Sequence, residues 1–234
     1  MSSSADRFSR TAQRVAAHQD GRAGRLAASL ADFVRPTGSE RLLDVGTGAG
    51  ALALALAPLV LEVVGLDPVP ELLELARERS RPNTEFVEGD GTALPFADSA
   101  FDLTGTHRTL HHIGRPDLVV AEMARVTRPG GRVLVVDQLA PGDPAEADAL
   151  HAFETTRDPS HSRLLADAEL RELFAANGLD LLRERRVEER RELGDYLDLA
   201  GCEGDGRVEV EGLAAADPRL LVAEVGWYLL ERTG

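Results

Sequence analysis

Short apolar runs alternate with amphipathic stretches through the middle of the chain. Residues 41–45 read R-L-L-D-V and run into Gly46-Thr47-Gly48-Ala49-Gly50, the pattern of a buried strand followed by a tight turn. Alanines and leucines up to Ala57 predict a helix, stopped by Pro58. The same grammar then repeats. A strand over 62–66 ends at Asp67-Pro68, a helix covers 71–79, and a strand over 84–88 delivers Gly89-Asp90-Gly91. A fourth strand over 101–104, a helix over 117–126, a turn at Arg128-Pro129-Gly130-Gly131 and an apolar strand over 132–137 follow.

Strands alternating with helices of this size require parallel pairing through right-handed crossovers. Before them, Phe8, Val15, Leu26, Leu30 and Phe33 fall on helical faces, with a break expected at Asp20-Gly21. After Asp137 the pattern predicts helices over 145–153 and 170–176, the second capped by Asn177-Gly178. Strands over 179–187 and 225–231 complete the reading, separated in part by a flexible Gly-rich stretch, 201–206. The expected fold is α/β: a doubly wound, mostly parallel seven-stranded sheet with an antiparallel final strand and flanking helices. One domain, 1–234, is expected, with a helical cap over 1–38, a ligand-binding core over 39–137, and a sheet-completing segment over 138–234.

Composition narrows the function. The formal net charge is −14, and all 26 basic residues are arginine, so Schiff-base and Walker-lysine chemistry are excluded. Such a surface repels a phosphate backbone, and the arginines of 183–191 are threaded with Glu184, Glu188 and Glu189, the pattern of a solvated face; no nucleic-acid partner is expected. Cys202 is the sole cysteine, which excludes an internal disulfide and a thiolate cluster. The first seven residues lack an apolar core, and the run A-L-A-L-A-L-A-P is too short to span a bilayer, so a cytoplasmic protein without membrane insertion is expected.

The strongest constellation lies at the strand ends. Glycines after the first strand let the backbone turn and a ligand approach closely, a feature shared with dinucleotide sites. Asp44 beside them opposes a pyrophosphate but suits the ammonium and sulfonium of S-adenosylmethionine. Asp67, about 20 residues on, sits where a carboxylate can accept both ribose hydroxyls. Asp90 is placed to accept from an adenine amino group, with Leu94 and Phe96 supplying apolar surface nearby.

These pieces resemble the class I S-adenosylmethionine-dependent methyltransferases typified by ubiquinone and menaquinone biosynthesis. The likeness runs through L-L-D-V-G-T-G-A-G (42–50), V-G-L-D (64–67), E-G-D-G-T-A-L-P-F (88–96), A-F-D-L (100–103), L-H-H-I (110–113) and E-M-A-R-V-T-R-P-G-G-R-V (122–133). The resemblance implies S-adenosyl-L-methionine as cofactor, with Asp44, Gly46, Thr47 and Gly48 at its methionine end, Asp67 at ribose, Pro68 beside adenine, and Asp90 and Gly91 at the adenine edge. Where Gly91 stands the family usually has Ala, which implies one methyl fewer in the pocket wall. The acceptor would be a small metabolite.

Three histidines are catalytic candidates. His107 follows the fourth strand at the mouth of the sheet and is also a candidate cofactor contact; His111 belongs to L-H-H-I; His161 lies in R-D-P-S-H, a loop between helices. His107 and His111 have i,i+4 spacing, but the Glu of H-E-x-x-H and a third ligand are missing, so no metal is expected. An NAD-linked oxidoreductase, a nonenzymatic S-adenosylmethionine-binding regulatory or assembly protein, and an RNA methyltransferase remain the alternative readings.

Overall fold

The computed structural model describes residues 4–234, and side chains from Arg7 onward. The first three residues of the expected cap and N-terminal segment therefore lie outside the described residues. In chain order the elements are α1 (Ser4–Val34), β1 (Arg41–Val45), α2 (Ala51–Leu56), β2 (Glu62–Asp67), α3 (Pro70–Glu78), β3 (Thr84–Glu88), β4 (Phe101–His107), α4 (Pro116–Val126) and β5 (Thr127–Gln138). There follow α5 (Pro144–Arg157), α6 (Asp167–Ala176), β6 (Leu179–Arg190), α7 (Leu193–Ala200), α8 (Gly204–Ala216) and β7 (Val222–Arg232).

The sheet has seven strands in the order β3-β2-β1-β4-β5-β7-β6. Pairing is parallel from β3 to β5, and β7 runs antiparallel between β5 and β6. Period-two alternation assigns each strand residue to a layer. Leu42, Val63, Leu134, Val136 and Trp227 meet α1, α2 and α3 on one face, while Leu43, Val64, Val133, Val135 and Tyr228 meet α4 and α6 on the other. A separate apolar cluster joins α5, α7 and α8 around Phe153, Leu197 and Val210. No described helix is long and apolar enough to cross a membrane.

Three local expectations change, and one holds. α1 runs unbroken through Asp20-Gly21, because Leu30, Phe33 and Val34 bury its end against the sheet while Ala12 and Ala16 bury its middle against Val69 and Leu72. That packing outweighs the roughly 1 kcal/mol of helix propensity lost at each of Gly21 and Gly24, where an added Cβ would point into open space. The expected turn at 128–131 is instead an irregularity inside β5. Phe101 pairs with Thr127 and Leu103 with Arg132, so four residues bulge and Gly130 takes φ 71°. The Gly-rich stretch, expected only to separate two strands, forms the junction of α7 and α8, where Gly201 adopts φ 67° and Cys202 is buried. The arginine run lies on β6, whose residues alternate between half-buried and exposed, in keeping with a solvated face.

Candidate functional site

Parallel strands present their carboxyl ends to one edge, and the candidate residues gather there because each follows a strand. Gly46, Gly48 and Gly50 turn with φ of 71°, 54° and 91°. At Gly46 a Cβ would meet Thr109 Cγ2 at 2.2 Å, so only glycine lets the segment after β4 close on the loop. Thr109 donates its hydroxyl to the Gly46 carbonyl at 3.1 Å, and the loop amides of Gly46 and Thr47 donate to Leu66 at 2.8 and 3.0 Å.

Asp44 is 1% exposed. Its Oδ2 accepts from Thr47 Oγ1 at 2.7 Å and from the Ala53 amide at 3.0 Å, while its Oδ1 is buried without a partner. Burial, with a smaller push from the charge of Asp67, raises its pKa to about 7. Asp67 is buried too, and burial raises it to about 6 although it accepts from the amides of Gly48 at 2.8 Å and Val69 at 3.0 Å. Two carboxylates desolvated beside one glycine loop favour a cation and hydroxyl donors over a pyrophosphate.

Sequence reasoning missed Gln19. α1 carries it over the loop, its Nε2 lying 3.7 Å from where a Gly48 Cβ would stand, and its Oε1 is buried with no partner. Asp44 Oδ1 and Gln19 Oε1 are thus two buried acceptors without partners at the glycine loop, the kind of group that an ammonium donor satisfies. Pro68 is exposed between Asp67 and Val69. Exposed Asp90 forms an Asx turn, its Oδ1 accepting from the Thr92 amide and hydroxyl, both at 2.8 Å. Gly91 departs from expectation: a Cβ there would lie 2.9 Å from Val45 Cγ1, so the missing methyl relieves the core and not a pocket wall. Leu94 is core, and Phe96 packs edge-on against Phe101 at 5.1 Å.

Two of the three candidate histidines come together. His111 sits in a 3-10 turn, 110–112, with Nδ1 2.5 Å from Asp137 Oδ1 at the end of β5. Burial would raise Asp137, but the charge and hydrogen bond of His111 and the Gln138 amide hold it below the usual carboxylate range. An ionised Asp137 accepts from Nδ1–H and leaves Nε2 of His111 as the free acceptor. His161, in the expected loop between helices, is 6% exposed, has both ring nitrogens buried without partners, and lies 5.3 Å from the His111 ring. Burial, then the charge of His111, lowers it to about 4. His112 completes the cluster, 4.2 Å from His111 and edge-on to Phe8 of α1 at 4.8 Å. Burial pushes it well below the ordinary value.

His107 stands apart, as the last residue of β4 and paired with Val136. Burial and then the neighbouring Arg108 lower it to about 3, so it is neutral at any physiological pH. Arg108 meets Glu189 of β6 at 2.5 Å, and Arg22 of α1 reaches the same carboxylate at 3.4 Å. His107 and His111 occupy a strand and a 3-10 turn, not one helix face, and no metal-binding group of three occurs among the described residues. Beneath the cluster, Glu154 is fully buried and accepts from Arg157, Arg191 and Tyr196, which ties α5 and α7 to the end of β6.

Residues 43–135 match a family model described as a methyltransferase domain. The chain is 38% identical over 143 residues to the uncharacterized methyltransferase YcgJ of Bacillus subtilis, covering 59% of this chain and 56% of that protein. It is 39% identical over 108 residues to a demethylmenaquinone methyltransferase of Renibacterium salmoninarum, covering 46% and 45%. The chain thus spans about half the length of the curated relatives it matches. The crystal structure of the Bacillus subtilis YcgJ protein superposes with a TM-score of 0.77 at 25% identity, over 90% of this chain and all of that one. Fold, matched segment and relatives thus resemble those of class I S-adenosylmethionine-dependent methyltransferases, with demethylmenaquinone methyltransferases among the similar proteins.

Proposed function

We propose that the chain transfers the methyl group of S-adenosylmethionine to a small-molecule metabolite bound beneath α1, beside His111, His112 and His161. The observation that carries this reading is the pair of buried carboxylates, Asp44 and Asp67, flanking a glycine loop with partnerless oxygens at Asp44 and Gln19. In this assignment Asp44 and Gln19 hold the ammonium, Gly46, Thr47 and Gly48 cradle the methionine end, and Asp67 accepts the ribose hydroxyls. Pro68, Asp90 and Gly91 border the adenine.

The cofactor supplies an electrophilic methyl on sulfonium, so the protein's work is placement, desolvation and proton removal. α1 roofs the cleft and excludes water. His111 takes the acceptor's proton at Nε2, and Asp137 fixes the tautomer and stabilises the imidazolium. Among the three histidines it alone has a carboxylate behind it. His161 and His107 stay neutral and orient the acceptor and cofactor, because burial makes both poor bases.

Calorimetry with S-adenosylmethionine, S-adenosylhomocysteine and NADH tests the reading. Saturable binding of the first two, none of NADH, and at least about tenfold weaker binding by a folded Asp67→Ala protein are expected. Preference for NADH, or no binding of either sulfur ligand at saturation, overturns it.

A further inference from the structure

A cavity of about 340 Å³ opens between the first turns of α1 and the junction of α7 with α8. Arg7, Arg10 and Arg14 face it from one side, and Ser160 and Gly201 from the other. Spacings of three, four and seven residues place the three arginines along one stripe of α1. Among the described residues that line the cavity the acidic one is Glu203, 4.0 Å from Arg14.

Arg7 is a built feature and not a surface charge. It is 6% exposed, its Nη2 lies 2.7 Å from Asp158 and 3.4 Å from the Leu199 carbonyl, and its Nε is buried with no hydrogen-bond partner. Burial lowers its pKa in spite of Asp158. The cavity also adjoins the histidine cluster. Ser160 lines it and places its hydroxyl 3.1 Å from His112 Nδ1, one ring away from His111.

We propose that this cavity recognises an anionic group, a carboxylate or a phosphate, carried by the methyl acceptor, with Arg7 as the buried donor and Arg10 and Arg14 at the rim. Guanidinium forks match either acid in bidentate geometry. The volume suits an acid terminus with a few attached atoms and is too small for a macromolecule. As a statement about the acceptor the proposal rests on the methyl-transfer reading; as a statement about anion binding it does not.

The test titrates inorganic phosphate, benzoate and neutral benzamide into the full chain and into an Arg10→Gln/Arg14→Gln protein, by calorimetry at low ionic strength. S-adenosylmethionine is titrated into both proteins alongside. Saturable binding of phosphate or benzoate is expected, with none of benzamide, a loss of at least about tenfold in the variant, and the same S-adenosylmethionine affinity in both. The tighter of the two anions identifies the acid. No anion binding, equal binding by the variant (an adventitious ion only), or benzamide binding as tightly as benzoate overturns the site. Failure of S-adenosylmethionine to bind either protein would sink the methyl-transfer reading instead, and the anion site would stand on the phosphate and benzoate arms.

Discussion

Asp44→Asn isolates the electrostatics of the glycine loop. The asparagine carbonyl can still accept from Thr47 and Ala53, so the change removes charge with little change of shape. In the wild-type protein burial raises the folded pKa from 3.8 to about 7. The folded state therefore holds more protons than the unfolded chain between those values, and stability falls as pH rises through that window. At pH 5 a carboxyl with these two values favours folding by about 3 kcal/mol, and at pH 8 by almost nothing. Urea denaturation at the two pH values is expected to show wild type losing about 3 kcal/mol more than the variant, the other titrating groups cancelling in the difference. A ligand ammonium favours the ionised carboxylate, so wild-type S-adenosylmethionine affinity rises up to about 100-fold over the same range, while the variant binds weakly throughout. Parallel stability profiles for the two proteins would refute the argument.

Three further substitutions probe other links. Asp137→Asn is expected to lower kcat by about 100-fold or more with S-adenosylmethionine affinity intact, measured on any acceptor found; unchanged kcat removes His111 from proton transfer. Gln19→Ala replaces a buried partnerless oxygen by a better helix former, so the free protein melts no lower while S-adenosylmethionine binds about tenfold more weakly. Gly91→Ala forces a methyl to 2.9 Å from fully buried Val45 and is expected to cost about 1–3 kcal/mol in urea denaturation, whereas the pocket-wall account predicts no loss.

Much of the sheet was legible because its signals are local. Strands of four to seven apolar residues ending in Gly or Asp carry their own boundaries, and Asp44, Asp67 and Asp90 were readable as strand-end acids. What escaped depends on long-range packing. Gly21 and Gly24 read as a break because propensity is weighed without the sheet that Leu30 and Phe33 reach. The bulge in β5 read as a turn because Pro129-Gly130 carries turn chemistry whether or not a neighbouring strand continues the pairing. Asp137 closes an obvious strand, yet its partner His111 lies 26 residues earlier, and no periodicity links them. Gln19 and Arg7 had no signal beyond helical spacing, since a solvated polar residue and one roofing a cleft look the same in a sequence.

The unbroken first helix behaves as a lever. Its C-terminal end is held by Leu30, Phe33 and Val34, and release of the contacts of Arg7, Ala12 and Ala16 would leave it to turn about that end. At 1.5 Å per residue, Gln19 stands about 17 Å from Leu30 and Arg7 about 35 Å away. A swing of about 10° would lift the arginine end by about 6 Å and the glutamine by about 3 Å. Such a swing would open the cavity beside the arginines further than the space over the glycine loop, and a partial one would exchange one ligand while retaining the other. Ordered kinetics follow from those unequal arms, with S-adenosylmethionine first to bind and its demethylated product last to leave. Product-inhibition patterns showing random order would mean that α1 moves as something other than a rigid rod.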